Sequence, residues 1–196
     1  MLRRVSLESY QGRAMKISWV LANDTIIDPA VDIEQLRNIG PLWGGWKTWR
    51  SYSTDNVVCY TESDARSLIA KNFHARCNLH IPSAIYSNLD RPAGVKLYQG
   101  EFHETVDNPD EIVAMHLAAS TSDIVLLLGF NLCPRNLDND RLAKHKWHNY
   151  IQYFLNIIKT NPEKQWVVVD HEPKIEKELK SLPNLQFDKL LTILGN

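Results

Sequence analysis

Four stretches of the chain are almost continuously apolar and rich in residues that favour strands. They lie at residues 17–22, 56–60, 123–130 and 165–170. Runs of this kind are typical of strands buried on both faces, as in a parallel sheet covered by helices. Two weaker runs, "NLHI" at 78–81 and "VKLY" at 95–98, predict further strands, and Pro82 ends the first of them.

Helical patterns lie between these strands. They are predicted at residues 32–38, 62–75, 109–120, 140–159 and 174–181. The clearest is 140–159, where apolar side chains recur at the i, i+3, i+4, i+7 spacing of a helix with one buried face. "NPDE" at 108–111 predicts a helix start, because it combines a cap residue, a proline at the first helical position and acids in the first turn. The closing "FDKLLTIL" is predicted as a last strand or helix.

Strands that alternate with helices indicate an α/β fold. We therefore predict a Rossmann-like three-layer sandwich, with a mostly parallel sheet of five to six strands and helices on both faces. Residues 15–196 are predicted to form a single domain. Residues 1–14 differ in character from "MKISWVLAN", which begins at Met15 like a natural start. We interpret 1–14 as an upstream extension, an expression scar or a loosely held arm.

Composition narrows the classes of partner. The formal net charge is -1, so no basic excess indicates a nucleic acid, and that idea rests on Lys47, Arg50 and nearby aromatics alone. The longest apolar run is too short to span a membrane. The cysteines, Cys59, Cys77 and Cys133, show no CxxC spacing and predict neither a disulfide framework nor a zinc site. A reducing cytoplasm is the expected setting.

Ligands of such sheets bind beyond the carboxyl ends of the strands, where the strand order reverses. This rule selects Asn23 and Asp24 after the first strand, and Gly129 and Asn131 after the central one. Asn23 and Asp24 either bind a sugar or phosphate or cap the next turn. Gly129 either lets a ligand approach the backbone closely or forms a tight exit. The same rule selects the residues from Thr61 to Asp64, which follow the strand predicted at 56–60.

Two histidines, His145 and His148, stand near the start of the long helix, whose N-terminus should lie at the same edge of the sheet. Either histidine could act as a general base or bind phosphate, and the alternative is a pair of solvated surface side chains. No third ligand stands at a suitable spacing, so no protein metal site is predicted. "DHEP" at 170–173 either holds a divalent cation or caps a helix.

Three tryptophans occur in "GPLWGGWKTWR" at 40–50. The Gly44–Gly45 pair disfavours a continuous helix through this stretch. We predict that at least two of the three are core residues or cover the sheet. Alternatively, Trp46 or Trp49 lines the mouth of the ligand site together with Arg50.

The chain lacks both GxGxxG and GxxxxGK[ST], which disfavours typical NAD and P-loop ATP binding. Its second half carries "DEIVAMHLAAS", "LLLGFNL", "KHKWH", "WVVVD" and "LPNL" in order. This order resembles the Rossmann-type bacterial sialyltransferases that use a CMP-sugar donor, and also the motility-accessory-factor and hydroxymethylpterin-pyrophosphokinase-like proteins. The resemblance implies nucleotide contacts from Asn23, Gly129 and Asn131, and a catalytic base at His145 or His148.

The sequence thus predicts a protein that binds a nucleotide or nucleotide-sugar, with Asn23, Asp24, Trp46, Arg50, Gly129 and Asn131 as binding residues. A glycosyl- or nucleotidyl-transferase reaction is the expected activity, with Mg²⁺ accompanying the nucleotide. The alternative is a non-catalytic Rossmann-like binding or assembly module. Its exposed tryptophan and arginine surface would contact a protein partner or a second copy of the chain.

Overall fold

The computed structural model describes residues 14–23, 25–27, 29, 31–99, 109–130, 132, 140–170 and 179–194. The strands are β1 Ile17–Leu21, β2 Leu42–Gly45, β3 Asn56–Val58, β4 Asn78–Pro82, β5 Lys96–Tyr98, β6 Ile124–Leu128, β7 Gln165–Val169 and β8 Leu185–Asp188. The helices are α1 Ile33–Ile39, α2 Trp46–Tyr52, α3 Glu62–Ala70, α4 Ser83–Tyr86, α5 Pro109–Thr121, α6 Arg141–Thr160 and α7 Leu190–Leu194.

Within the described residues these strands form one eight-stranded sheet in the order β5-β4-β3-β2-β1-β6-β7-β8. All neighbouring strands are parallel. The predicted α/β, Rossmann-like class is therefore confirmed. The predicted number of five to six strands was wrong, because β2 was not predicted and the closing segment splits into β8 followed by α7.

A hydrophobic pattern does not predict β2, because its sequence is "LWGG" and only two of its four residues are large and apolar. All four residues are nevertheless buried between β1 and β3. Gly44 is required there, since a Cβ at this position would lie 3.0 Å from the Thr48 side chain. α2 begins directly after Gly45, so the glycine pair separates a strand from a helix inside the tryptophan-rich stretch.

Helices cover both faces of the sheet, as the sequence predicts. On one face α5 and α6 bury their side chains against β1, β2, β6 and β7, in a core that includes Phe154 and Trp166. On the other face α1 and α7 pack over the centre around Trp19 and Leu36. α3 completes that face, with Leu68 packed over β3 and β4. Two apolar layers thus enclose the sheet.

The end of one predicted helix differs in the structure. The helix predicted at residues 62–75 ends at Ala70 and is followed by a separate 3-10 turn, Phe73–Ala75. Asn72 between them has a φ of 57°, a left-handed conformation that cannot continue a helix. For the helix predicted at 174–181, only the 3-10 turn Leu179–Ser181 lies within the described residues.

The reversal of strand order lies at the centre of the sheet. The chain adds β2 to β5 on one side of β1, and α5 then carries it back so that β6 pairs with the other side. Because α5 precedes a parallel strand, its first turn lies at the carboxyl edge of the sheet. Residues 109–111 therefore meet the exits of β1, β2 and β3. Among the described residues, no helix is both long and apolar enough to cross a membrane.

Candidate functional site

The exit of β1 is tied to the end of β6. The Ala22 N–H donates to the carbonyl of Leu128 at 2.9 Å, and the Thr25 hydroxyl donates to the same carbonyl at 2.8 Å. The Thr25 N–H turns back to the Ala22 carbonyl at 3.1 Å. These bonds fix the backbone at the point where the strand order reverses.

Gly129 ends β6 with a φ of 79°, in the left-handed region that favours glycine. A Cβ there would lie 2.2 Å from the Thr25 hydroxyl oxygen. The close approach that glycine allows at this position is thus made by the β1 exit itself. This geometry matches the tight-exit alternative and leaves a ligand contact at Gly129 as a prediction.

Asn23 links three elements. Its backbone N–H donates to Glu111 Oε1 at 2.7 Å, and its side-chain Oδ1 accepts from the Thr48 hydroxyl of α2 at 3.2 Å. Glu111 is only 3% exposed, and its Oε2 accepts from the Tyr150 hydroxyl of α6 at 2.9 Å. A buried carboxylate therefore holds the β1 exit, the first turn of α5 and α6 together.

Gly45 forms the floor between two polar side chains. A Cβ on this residue would lie 2.8 Å from Asn23 Oδ1 and 3.0 Å from Asp110 Cβ. Asn23 follows β1, Gly45 ends β2 and Asp110 lies in the first turn of α5. The absence of a side chain at the end of β2 thus lets Asn23 and Asp110 converge above the sheet.

Asp110 is the ionisable group of this cluster. The residue as a whole is partly exposed, but its carboxyl group is shielded; burial and the neighbouring Asp64 carboxylate raise its pKa to about 7. The Tyr60 N–H, which bonds to the carboxylate, and the Lys47 ammonium act in the opposite direction. A carboxyl group with this pKa can hold or release a proton near neutral pH.

Two further ionisable groups beside Asp110, on Cys59 and Tyr98, are buried. Burial raises the pKa of the Cys59 thiol and of the Tyr98 hydroxyl well above their ordinary values, and the Asp110 carboxylate adds to both shifts. Asp64 accepts a 2.7 Å hydrogen bond from Thr61 at the start of α3. Cys59 is therefore an inert thiol, and Asp110 is the group here that titrates near pH 7.

His145 and His148 are both exposed on α6. The His145 Nε2 lies 3.3 Å from the Asn149 amide nitrogen of the same helix. Both histidines lie on the sides of α6 away from Tyr150, the residue that contacts Glu111. The described contacts do not bring either histidine to Asn23, so a catalytic role for them stays a prediction.

The tryptophans of residues 40–50 pack in the interior. Trp43 is 5% exposed and lies 4.9 Å from the His80 ring, centroid to centroid. Trp49 packs edge-on against Phe73 at 4.2 Å, and Trp46 is half-buried in the same cluster. Trp43 is a core residue, and Trp46 and Trp49 pack against the cluster over β3 and β4, so the prediction that at least two of the three are core residues or cover the sheet is confirmed.

Arg50 lies at the outer side of this cluster. Its guanidinium carbon is 5.0 Å from the centre of the Trp46 ring, a cation–π contact. Arg50 itself is exposed, and Trp46 follows Gly45 directly at the start of α2. The pair therefore flanks the floor formed by Gly45, and its part in ligand binding stays a prediction.

Several predicted residues lie outside the described residues, namely Asp24, Asn131, Cys133 and the His171–Glu172–Pro173 part of "DHEP". Within the described part of the chain, no three His, Cys, Asp or Glu side chains lie close enough together to hold a metal ion. The exits that the structure does bring together are those of β1, β2 and β3.

Sequence reasoning missed Gly45, Thr48, Asp110, Glu111 and Tyr150 as members of the site. Asp110 and Glu111 were explained as first-turn acids of a helix. The available signal was topological, because a helix that precedes a parallel strand starts at the carboxyl edge and carries its first-turn side chains there. The Tyr150 ring lies on the apolar face of α6, as the helical pattern predicts. Its hydroxyl donates to Glu111, and a hydrophobic pattern does not reveal such a bond.

Fold and site together define a three-layer α/β protein of the Rossmann-like class with a polar cluster at the carboxyl edge. Comparison with protein-family models, with curated proteins and with solved structures finds no match to this chain. The proposed function is therefore based on the residues of this cluster.

Proposed function

We propose that this protein binds a nucleotide or nucleotide-sugar over the carboxyl ends of β1, β2 and β3. The observation that carries the proposal is the convergence of Asn23 and Asp110 above Gly45, at the edge where open α/β sheets bind ligands. Side chains from different strand exits meet there because the chain returns through α5. Five parts of the fold contribute to this polar cluster, namely the exit of β1, β2, α2, α5 and α6. Convergent polar groups of this kind are typical of ligand sites.

The residues around the floor match the parts of such a ligand. Asn23 and Asp110 offer hydrogen-bonding groups to hydroxyl and amino groups. Lys47 and Arg50 are exposed cations on α2, beside the cluster. Trp46 offers an indole edge beside Gly45, with Arg50 over one face of its ring. Sugar, base and phosphate thus each have a chemically suitable neighbour.

Asp110 is the residue we assign to proton transfer. In a glycosyl- or nucleotidyl-transfer reaction, the carboxylate would take the proton of an acceptor hydroxyl as its oxygen forms the new bond to carbon or phosphorus. The bond to the leaving phosphate would break with its electron pair on the phosphate oxygen. Asp110 suits this task because its pKa of about 7 leaves a large share of the carboxylate form at neutral pH.

The test is a calorimetric and thermal-shift panel with CMP, UDP, GDP and adenine nucleotides, with and without Mg²⁺. We expect at least one nucleotide to bind the wild-type chain and to lose affinity in Asp110→Asn. The matched control is Asp123→Asn at the opposite edge of the sheet, where Asp123 accepts from the Lys16 N–H at 2.9 Å. If no nucleotide binds under either condition, the proposal is wrong.

The second candidate is a non-catalytic assembly module. It draws on the exposed Arg50 stacked on Trp46 and on Ile26, which is 90% exposed after β1. Paired variants separate the two functions. An enzyme loses turnover in Asp110→Asn, or in His145→Ala if it uses the predicted histidine base, whereas an assembly module loses partner binding in Trp46→Ala and is unchanged in the other two variants.

A further inference from the structure

Three backbone amides described at the β1 exit are already occupied by acceptors of the protein. The Asn23 N–H donates to Glu111, the Thr25 N–H to the Ala22 carbonyl, and the Ile27 N–H to the Tyr52 hydroxyl at 3.2 Å. In nucleotide-binding α/β proteins, amides at this exit and at the next helix N-terminus point at the ligand's phosphates. In this chain the three described donors bond to groups of the protein instead.

Glu111 takes the position in which a phosphate oxygen would accept from Asn23. Its Oε1 lies 2.7 Å from the Asn23 nitrogen, and the residue is 3% exposed. A phosphate at the same amide would have to displace the Glu111 oxygen that already accepts from it, and when Glu111 is ionised like-charge repulsion disfavours the phosphate further. Hydrogen bonds from the Asn23 N–H and the Tyr150 hydroxyl keep this carboxyl group in place.

The first turn of α5 also carries acidic side chains. Asp110 and Glu111 both lie in its first turn, where acidic side chains offset the positive end of the helix dipole. Asp64 places a further carboxylate close enough to raise the pKa of Asp110. Asp110, Glu111 and the nearby Asp64 thus place three acidic side chains around the first turn of α5.

Acceptor-rich surfaces select ligands that donate. The Asp110 carboxylate accepts hydrogen bonds when ionised, and hydroxyl and amino groups are the donors that a sugar or a base presents. Phosphate oxygens offer acceptors only and gain nothing from the ionised Asp110 carboxylate. The exposed cations Lys47 and Arg50 lie on α2 beside the cluster, and the Lys47 ammonium is close enough to lower the pKa of Asp110.

We propose that the subsite over Asn23, Gly45 and Asp110 binds the sugar or base of the ligand through its hydroxyl and amino groups and excludes its phosphate. This inference rests on the proposed function, and it reverses the usual arrangement in which the first strand exit of such a sheet holds the phosphate. It identifies the ligand part recognised here as the uncharged one, so the nucleoside suffices for binding at this subsite.

The test compares dissociation constants by titration calorimetry for cytidine, uridine, guanosine and adenosine and for their 5′-monophosphates. We expect the nucleoside that binds to have an affinity within about threefold of its monophosphate. A monophosphate that binds more than about tenfold tighter than its nucleoside overturns the inference and leaves the proposed function standing. If neither form of any nucleoside binds, both proposals fail.

Glu111→Gln tests the charge argument directly, because glutamine keeps an acceptor for Asn23 while it removes the negative charge. We expect the monophosphate to gain about tenfold in affinity relative to its nucleoside in this variant. The ratio of the two affinities is the readout, since a purely structural defect lowers both together and an unchanged ratio contradicts the inference.

A second variant and a control complete the design. Asp110→Asn, measured in the same way, is expected to shift the ratio in the same direction and serves where Glu111→Gln does not fold. Asp123→Asn, at the amino edge of the sheet, is expected to leave the ratio unchanged. A shift in this control equal to that of the site variants refutes the assignment of the effect to the carboxyl edge.

Discussion

Asp110→Asn should make the free energy of unfolding less dependent on pH. The folded-state pKa of Asp110 is about 7 against an ordinary value of 3.8. Between these values the folded protein keeps a proton that the unfolded chain has lost, so wild-type stability falls as pH rises from about 4 to about 7. Below pH 4 both states are protonated, and the group has no effect on the pH dependence.

The size of the effect follows from the same difference in pKa. It corresponds to at most about 4 kcal/mol, and partial exposure of the residue should reduce this to roughly 1–3 kcal/mol. Asparagine retains an acceptor for the Tyr60 N–H and carries no charge. We therefore expect the stability of Asp110→Asn relative to the wild type to rise from pH 5 to pH 8, and to be the higher of the two at pH 8.

Urea unfolding at half-unit steps from pH 5 to pH 8.5 measures this difference. Asp123→Asn serves as the control, because Asp123 lies at the opposite edge of the sheet. The reasoning is refuted if the difference in unfolding free energy between wild type and Asp110→Asn is the same at both ends of the range.

Further predictions concern the supports of the site. Gly129→Ala should destabilise the protein more than Gly94→Ala, since both glycines have a positive φ but only Gly129 contacts Thr25. We expect a loss of about 1–2 kcal/mol from the backbone conformation in both variants, and about 1–3 kcal/mol more in Gly129→Ala from the steric clash. Equal losses of unfolding free energy in urea would contradict this expectation. Tyr150→Phe should cost about 1.5–3 kcal/mol in the same assay, because Glu111 loses a hydrogen bond to a buried charge; a loss below about 0.5 kcal/mol would argue against a charged Glu111.

Much of the fold could be predicted because the strands of a buried parallel sheet form short, continuous apolar runs in the sequence. β1, β3, β6 and β7 are short apolar runs, and α6 has a clear one-sided pattern. β2 could not be predicted in the same way, since two of its four residues are glycines selected for close contacts. A side chain at either glycine would come too close to Thr48, Asn23 or Asp110, and these residues approach the glycines only in the folded chain.

The site was predictable at the level of position and less so at the level of partners. The strand-exit rule pointed to Asn23 and to the region of Asp64, and both contribute to the cluster or its charge. The bond between Asn23 and Glu111 joins residues 88 positions apart, and no local spacing reveals it. Gly129 fits a ligand contact and a tight turn equally well until Thr25 is placed against it.

The most direct test of the proposed function maps amide chemical-shift changes during titration of the isotope-labelled chain with nucleosides and nucleotides. The account predicts saturable changes centred on Asn23, Gly45 and Tyr60 at the carboxyl edge, with the amides of Lys16 and Asp123 at the amino edge unaffected. The absence of saturable changes with every ligand, or changes confined to the amino edge, would contradict it.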